Sequence, residues 1–246
     1  MRVLTFFPPK STLLVLAALA AAVPLAHADV DGARPATEGF YPIWESTGHI
    51  ERHREIYLGT NGAHYGIMDV IQVGVQPVNF LYRSPNAYAK FSLMDRGNWH
   101  MAGQVGAYYL MNEASRAFFS PMYSSRLDNP DFSVLMFPVT TTATLGVSDW
   151  LDFHQTATFL ALYSPSGILD GQGYLGYSAV AELKARAHHS VLLHVGEVGF
   201  WNHDFSMLGS SYRYHNTWME FRIGYFYRMR SDGAQGSPLI GFGLVI

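Results

Sequence analysis

In the stretch HYGIMDVIQVGV, residues 64–75, apolar residues occupy every second position. This alternation stops at Met68-Asp69 and then resumes at once. Eighty positions further on, TLGVSDWLDFHQ, residues 144–155, repeats this break, with Gly146-Val147-Ser148-Asp149 in the place of Gly66-Ile67-Met68-Asp69. An alternation of period two is typical of a β-strand, and a short break between two such runs indicates a hairpin. Both stretches therefore predict a strand, a tight turn and a second strand, with nothing helical between them.

The same period extends over most of the chain. It is sharpest in WMEFRIGYFYRM, residues 218–229, where Phe221 and Ile223 alternate with Glu220 and Arg222. After the first 28 residues no amphipathic helix of normal length appears. The sequence thus predicts an all-β fold of about twelve strands, with ten strands as the alternative. The runs at 50–60 and 62–67 could also belong to one bent strand. The other runs lie at 70–82, 87–95, 99–110, 133–147, 150–163, 171–186, 189–200, 204–213 and 237–246.

The connections between these runs alternate in length. The break after every second strand is tight, whereas the connections between those breaks are often longer, and residues 111–132 form the longest. TNG at 60–62 and SPN at 84–86 are short exceptions. Tight turns that alternate with longer loops are typical of an up-and-down antiparallel transmembrane β-barrel, with turns in the periplasm and loops outside. The tight breaks are Met68-Asp69, DRGN at 95–98, SDW at 148–150, RAHH at 186–189 and YHN at 214–216.

The N-terminus has the features of an export signal. Arg2 and Lys10 precede an apolar stretch at 11–25, and AHA at 26–28 fits a small-x-small cleavage site. We therefore expect residues 1–28 to be a cleaved signal peptide.

The remaining chain divides into two regions. Residues 29–48 show no period, and we expect a periplasmic tail there, although Phe40, Tyr41 and Trp44 could let it fold into the lumen as a plug. Residues 49–246 form the predicted barrel.

Composition supports a membrane location and excludes nucleic acid as a partner. The chain is 49% hydrophobic and only 14% charged, against about 25% charged in soluble domains. No apolar run after residue 28 approaches the ~20 residues that a membrane helix needs. Without Arg2 and Lys10 the chain has 14 basic and 19 acidic residues, a net charge of −5, and it has no cysteine. Such a chain must be held together by burial or by closure of the sheet.

The C-terminal strand, PLIGFGLVI at 238–246, carries Ile240, Phe242, Leu244 and Ile246 on one face. In this the chain resembles Gram-negative outer-membrane β-barrel proteins over nearly all of 50–246, although Ile246 stands where the usual last residue is Phe. The resemblance implies location in the cell outer membrane, contact with outer-membrane lipid, and recognition of the last strand by the barrel-insertion machinery. It does not fix the oligomeric state.

If the apolar faces meet lipid, the opposite faces line the lumen. A twelve-strand barrel is wider than an eight-strand barrel, whose side chains fill it, and narrower than an open porin. We therefore expect a narrow channel for small polar solutes. The alternative is a non-conducting structural or surface-binding barrel, in which the 111–132 loop, with Phe118, Phe119, Met122 and Tyr123, is the contact site. The candidate lumen-lining residues are Gln72, Lys90, His100, Gln104, Asp152, His154, Glu182, Lys184, His194, Glu220, Arg222 and Arg228.

Metal binding and catalysis have weaker support in the sequence. Adjacent His188 and His189 do not have the spacing of metal ligands on one face, so we expect no metal and no cofactor. Ser206, His203 and Asp204 could suggest a membrane lipid hydrolase, but neighbours on a strand point apart and no G-x-S-x-G motif occurs. We therefore expect no catalytic residues and no enzymatic activity.

Overall fold

The structure is a computed structural model that describes residues 46–60, 62–81, 84–111, 133–164, 172–200, 203–230 and 233–246. The predicted signal peptide, residues 29–45 of the predicted tail, and residues 112–132 of the long loop lie outside the described residues. These described residues form twelve strands and one short helix: β1 Ile56–Gly59, β2 Ala63–Met68, β3 Ile71–Val75, α1 Pro77–Leu81, β4 Asn86–Arg96, β5 Trp99–Leu110, β6 Val134–Ser148, β7 Leu151–Tyr163, β8 Gln172–Arg186, β9 His189–Phe200, β10 His203–His215, β11 Met219–Arg230 and β12 Gly233–Val245.

The strands form one closed barrel. Each strand pairs antiparallel with its neighbours in sequence, and β1 closes on β12 through Tyr57 opposite Val245 and Gly59 opposite Gly243. This confirms the predicted all-β, up-and-down fold with twelve strands. The ten-strand alternative is wrong, because twelve strands take part in the closed barrel. The runs at 50–60 and 62–67 are not one bent strand, since β1 and β2 are separate and pair with each other.

The two echoing stretches form the same local structure. Met68 pairs with Ile71 around a two-residue turn, and Ser148 pairs with Leu151 around another. Each hairpin has a β-bulge just before its turn, which increases the local twist. Similar bulges precede the turns of β4–β5 and β8–β9. All these turns lie at one end of the barrel, which we call the tight-turn end; the opposite end is the long-connection end.

Two of the predicted strands are shorter in the structure. The run at 50–60 reduces to β1, because residues 53–54 form a turn in which Arg54 has a positive φ of 66°. The run at 70–82 reduces to β3 followed by α1, since Pro77 has no N–H to give to a sheet and suits the first turn of a helix. The wall at β1–β3 is therefore built from strands of only 4 to 6 residues. The described residues contain no helix long and apolar enough to cross a membrane.

The outer face of the wall is apolar and its inner face is polar, whereas a soluble protein has polar residues outside and apolar residues inside. Outward-facing Val105 is 46% exposed, whereas the adjacent inward-facing Gln104 is 3% exposed. Trp99 and Trp218 are exposed near the tight-turn end, and Tyr163 and Tyr227 are exposed near the other. This distribution is that of a wall that contacts lipid outside and polar groups inside.

The cost in stability of a charge on the outer face should depend on how deep in the membrane that charge lies. Val139 in the middle of β6 and Val147 near its end are 51% and 50% exposed. We expect Val139→Arg to lower the free energy of unfolding by about 2–4 kcal/mol and Val147→Arg by about 0–1 kcal/mol, because the cost of a cation falls toward the interface. Urea unfolding of the refolded protein in lipid vesicles measures both values. Equal effects would contradict a membrane-spanning wall, since the two valines are equally exposed.

Candidate functional site in the barrel interior

The structure brings most of the predicted lumen residues into the interior. Because side chains alternate across the wall, residues paired across strands share a face. Gln72, Lys90 and Gln104 form one such cross-strand row on β3–β5. The side chain of Arg228 lies outside what the structure describes. The buried members of the set are Gln72, Lys90, Gln104, Asp152, His154, Glu182, His194, Glu220 and Arg222, and the half-buried members are His100 and Lys184.

A network of ion pairs joins β8, β10 and β11. Arg213 contacts Glu182 at 3.2 Å through Nη1 and Glu220 at 2.9 Å through Nε. Arg222 Nε lies 2.7 Å from the other oxygen of Glu220. Arg213 and Arg222 are direct cross-strand partners, so their like charges would repel. Glu220 lies between them and binds both, which makes this close pairing possible.

Sequence analysis missed Arg213. It lies at the last position of the run assigned to 204–213, whereas β10 extends to His215. The signal that could have found it is the short YHN break: pairing 204–213 with 218–229 across that break sets Arg213 opposite Arg222. Glu182 and Glu220 face the same inner side of the wall, so they are then the expected carboxylate partners of Arg213.

A second cluster lies nearer the tight-turn end. Lys184 Nζ contacts Asp152 at 2.8 Å. His154 contacts Thr144 through Nδ1 at 2.8 Å and Glu182 through Nε2 at 3.1 Å. Glu182 therefore belongs both to this cluster and to the ion-pair network. Together they form one continuous polar connection across the β6–β11 side of the interior.

The bonding around His154 indicates where its proton lies. The Thr144 hydroxyl accepts a hydrogen bond from the Gly48 backbone N–H at 2.8 Å, so its own hydrogen is available to His154 Nδ1. The Nε2–H of His154 then donates to Glu182. A hydroxyl, an imidazole and a carboxylate thus lie in series, each with a partner.

Residues 46–55 precede β1, and we call them the N-terminal segment; its residues 46–51 run through the interior beside this cluster. Ser46 exchanges two hydrogen bonds with the Thr156 hydroxyl, at 3.1 and 3.2 Å. Glu51 N–H donates to the Gln72 side chain at 3.0 Å. Residues 46–48, which we assigned to a periplasmic tail, instead lie buried against the inner wall, because side chains of the wall supply the partners that buried backbone groups require. The position of these three residues agrees with the alternative in which part of the tail enters the lumen.

Two glycines allow this close approach. A Cβ on Gly48 would lie 2.0 Å from the His100 carbonyl oxygen, and a Cβ on Gly66 would lie 2.0 Å from the Arg52 carbonyl oxygen. Gly146, which occupies the equivalent position in the second echoing stretch, has its nearest neighbour at 3.5 Å. The first hairpin thus has a function that its echo lacks: it accommodates the N-terminal segment.

A cavity of about 280 Å³ opens between the N-terminal segment and the wall. His49 of the segment and His100 of β5 lie in it with their ring centroids 4.3 Å apart. Burial, together with nearby His100, lowers the pKa of His49 to about 2. Thr144, Asp152 and Lys184 complete the polar side of the cavity.

The carboxylates that could hold a metal ion are already paired with basic side chains. Among the described residues, Asp152, His154 and Glu182 have ligand atoms within 4.8 Å of one another. Lys184 and Arg213 already neutralise the two carboxylates, so an ion would have to displace them. Ser206 lies half-buried on β10, and the side chains of His203 and Asp204 fall outside what the structure describes.

A closed antiparallel wall, apolar outside and polar inside, is the arrangement of a transmembrane β-barrel of the outer-membrane class. No protein-family model matches the chain, and no curated protein sequence matches it. Two solved structures are similar to it. The first is a "CymD monoaromatic hydrocarbon channel", 8% identical, with a TM-score of 0.43, covering 75% of this chain and 71% of that one. The second is "OmpT (in-vitro folded), an outer membrane protein of Vibrio cholerae", 12% identical, with a TM-score of 0.41, covering 88% and 71%.

Removal of Arg213 should destabilise the barrel strongly. Arg213→Met leaves the carboxylates of Glu182 and Glu220 without their shared cation, and breaking a buried ion pair in this way costs about 3–5 kcal/mol. Arg186→Met at the exposed end of β8 is the control, with an expected change within about 0.5 kcal/mol. Urea unfolding followed by tryptophan fluorescence compares the two variants. A loss at Arg213 no larger than the loss at Arg186 would show that the network does not support the fold.

Proposed function

We propose that the protein is exported through its signal peptide, inserted in the cell outer membrane by recognition of its last strand, and acts there as a gated channel for small polar solutes. The N-terminal segment is the gate at the tight-turn end. The observation that carries this proposal is that the interior at this end is occupied by a separate piece of chain and not by the wall alone. A segment can leave the lumen without unfolding the barrel, whereas wall side chains cannot.

The middle of the lumen supports a water-filled path. Neither amide atom of Gln104 has a hydrogen-bond partner among the described residues, although the side chain is almost completely buried. A buried amide group without protein partners requires water or a polar solute. Lys90 and Thr140 flank Gln104 in the same row, so the path has hydrogen-bonding groups on its wall.

Single-channel conductance in a planar bilayer tests the proposal. We expect low, intermittent conductance from the wild-type protein, because the closed state is stabilised by the contacts of the N-terminal segment. Gly66→Ala forces the segment away from β2, because its Cβ would lie 2.0 Å from the Arg52 carbonyl oxygen. Such overpacking typically costs about 1–3 kcal/mol, so we expect the open fraction to rise by about tenfold. Gly146→Ala, the matched control, should behave as the wild type.

A second function has its own support. The ion-pair network of Glu182, Arg213, Glu220 and Arg222 holds the β8–β11 side of the lumen in place. This arrangement suits a filled, non-conducting structural or surface-binding barrel. If wild type and Gly66→Ala both insert stably and neither conducts, this second function replaces the first.

The gate should open more readily in acid. His49 in the closed state has a pKa of about 2, against 6.5 for the free side chain. The closed state therefore has its full stability above pH 6.5 and loses stability as the pH falls toward 2. His100, His154 and Lys90 oppose a charge on His49, while Glu182 favours it.

We expect the open fraction to increase by about an order of magnitude between pH 7.5 and pH 5. His49→Gln should reduce this dependence, because glutamine does not titrate. Conductance recorded over this pH range measures both. An open fraction that falls in acid, or an unchanged profile in His49→Gln, would exclude His49 as the pH-sensitive group.

A further inference from the structure

We infer that the outer wall over β1–β5 carries a binding groove for one acyl chain of a membrane lipid. A depression of about 730 Å³ lies there, lined by residues of all five strands. This groove does not depend on the channel proposed above, because the groove lies on the lipid-facing side of the wall and the channel lies inside the barrel.

The depression results from small residues placed next to one another by the strand register. Ala87 pairs with Ala107 across β4 and β5, and Ala89 pairs with Val73 on β3. An alanine side chain extends only one carbon from the sheet, whereas Leu58 and Tyr65 on the adjoining strands extend much further. The floor is therefore low at β4–β5 and rises toward β1 and β2.

The wall on this side is also short. Strands β1–β3 have 4 to 6 residues, whereas a tilted strand needs ~9–11 residues to cross the hydrocarbon layer. Lipid beside a short hydrophobic wall must tilt or thin to match it. Helix α1 follows β3 directly, and its Phe80 and Leu81 are exposed, Leu81 by 82%. The apolar surface of the chain therefore continues past the end of β3 into α1.

The chemistry of the groove favours a hydrocarbon chain over a peptide strand. The side chains that project into it are mainly alanine, valine and other apolar groups, which offer no partners to a peptide backbone. A peptide strand could add nearby only at the edge of β12 before Phe242, because Thr60 already bonds to Phe242. Val245 N–H bonds to the Trp218 carbonyl beside β11 and Ile246 N–H to the Ile56 carbonyl of β1, so the nitrogen of Pro238 falls on the β1 side. A proline on that side opposes strand addition.

A second copy of the chain also fits poorly. In a two-fold pair the same patch meets itself. Two depressions placed face to face would enclose a void, and unfilled space loses packing contacts. A flexible acyl chain fills a depression and requires no hydrogen bonds.

Native mass spectrometry of the protein extracted from membranes in mild detergent tests the inference. We expect a population of wild-type protein that carries one lipid. Ala87→Phe combined with Ala107→Phe fills the floor of the groove and should reduce the lipid-bound fraction by about tenfold. Ala157→Phe, at an exposed outward position on β7, is the matched control and should retain the wild-type fraction.

The wild-type protein alone also gives a decisive result, should the double variant not fold. Incubation with a phospholipid whose acyl chains are brominated should replace the bound lipid by one of the corresponding larger mass. A wild-type spectrum without a lipid adduct, a dimer in place of the adduct, or equal retention by a folded double variant and the control would overturn the inference.

Discussion

The structure depends on one constraint: the backbone groups of each strand find hydrogen-bond partners on neighbouring strands, because hydrocarbon offers none. Pairing of Tyr57–Gly59 of β1 with Gly243–Val245 of β12 closes the wall. Once the wall is closed, the alternation of side chains assigns every strand residue to lipid or to the interior. The same backbone thus produces an apolar outer surface and a polar lumen, and it does so without a disulfide, since the chain has no cysteine.

The interior shows how charges are accommodated in such a wall. Buried ionic groups are costly unless they are paired and hydrogen-bonded. Arg213 satisfies Glu182 and Glu220 together, and Glu220 also binds Arg222, so the paired charges connect three strands. The opposite side of the lumen differs, since the Gln104 amide lacks partners among the described residues. The lumen therefore has a firmly paired side and a side suited to water.

The N-terminal segment packs against the first strands of the barrel, and the outer groove lies on the other face of the same part of the wall. Gly66 permits the backbone of residues 51–52 to lie flat on the inner face of β2. On the outer face, alanines of β4 and β5 leave a depression beside the short strands β1–β3. The remaining wall, with strands of 11 to 15 residues, is more regular. The two places where this barrel departs from a uniform wall are thus the two places for which we propose function.

The sequence by itself determined the strand alternation, the tight turns and the fold class, because period two and turn residues are local properties of the chain. It also identified residues such as Glu220 and Arg222, since their face follows from their own strand. Only the tertiary structure decided that Arg213 joins them, that residues 46–51 enter the lumen, and that Gly66 and Gly146 differ despite their matching contexts. Those features depend on which strands and segments meet across the barrel, and a local pattern carries no information about such distant partners.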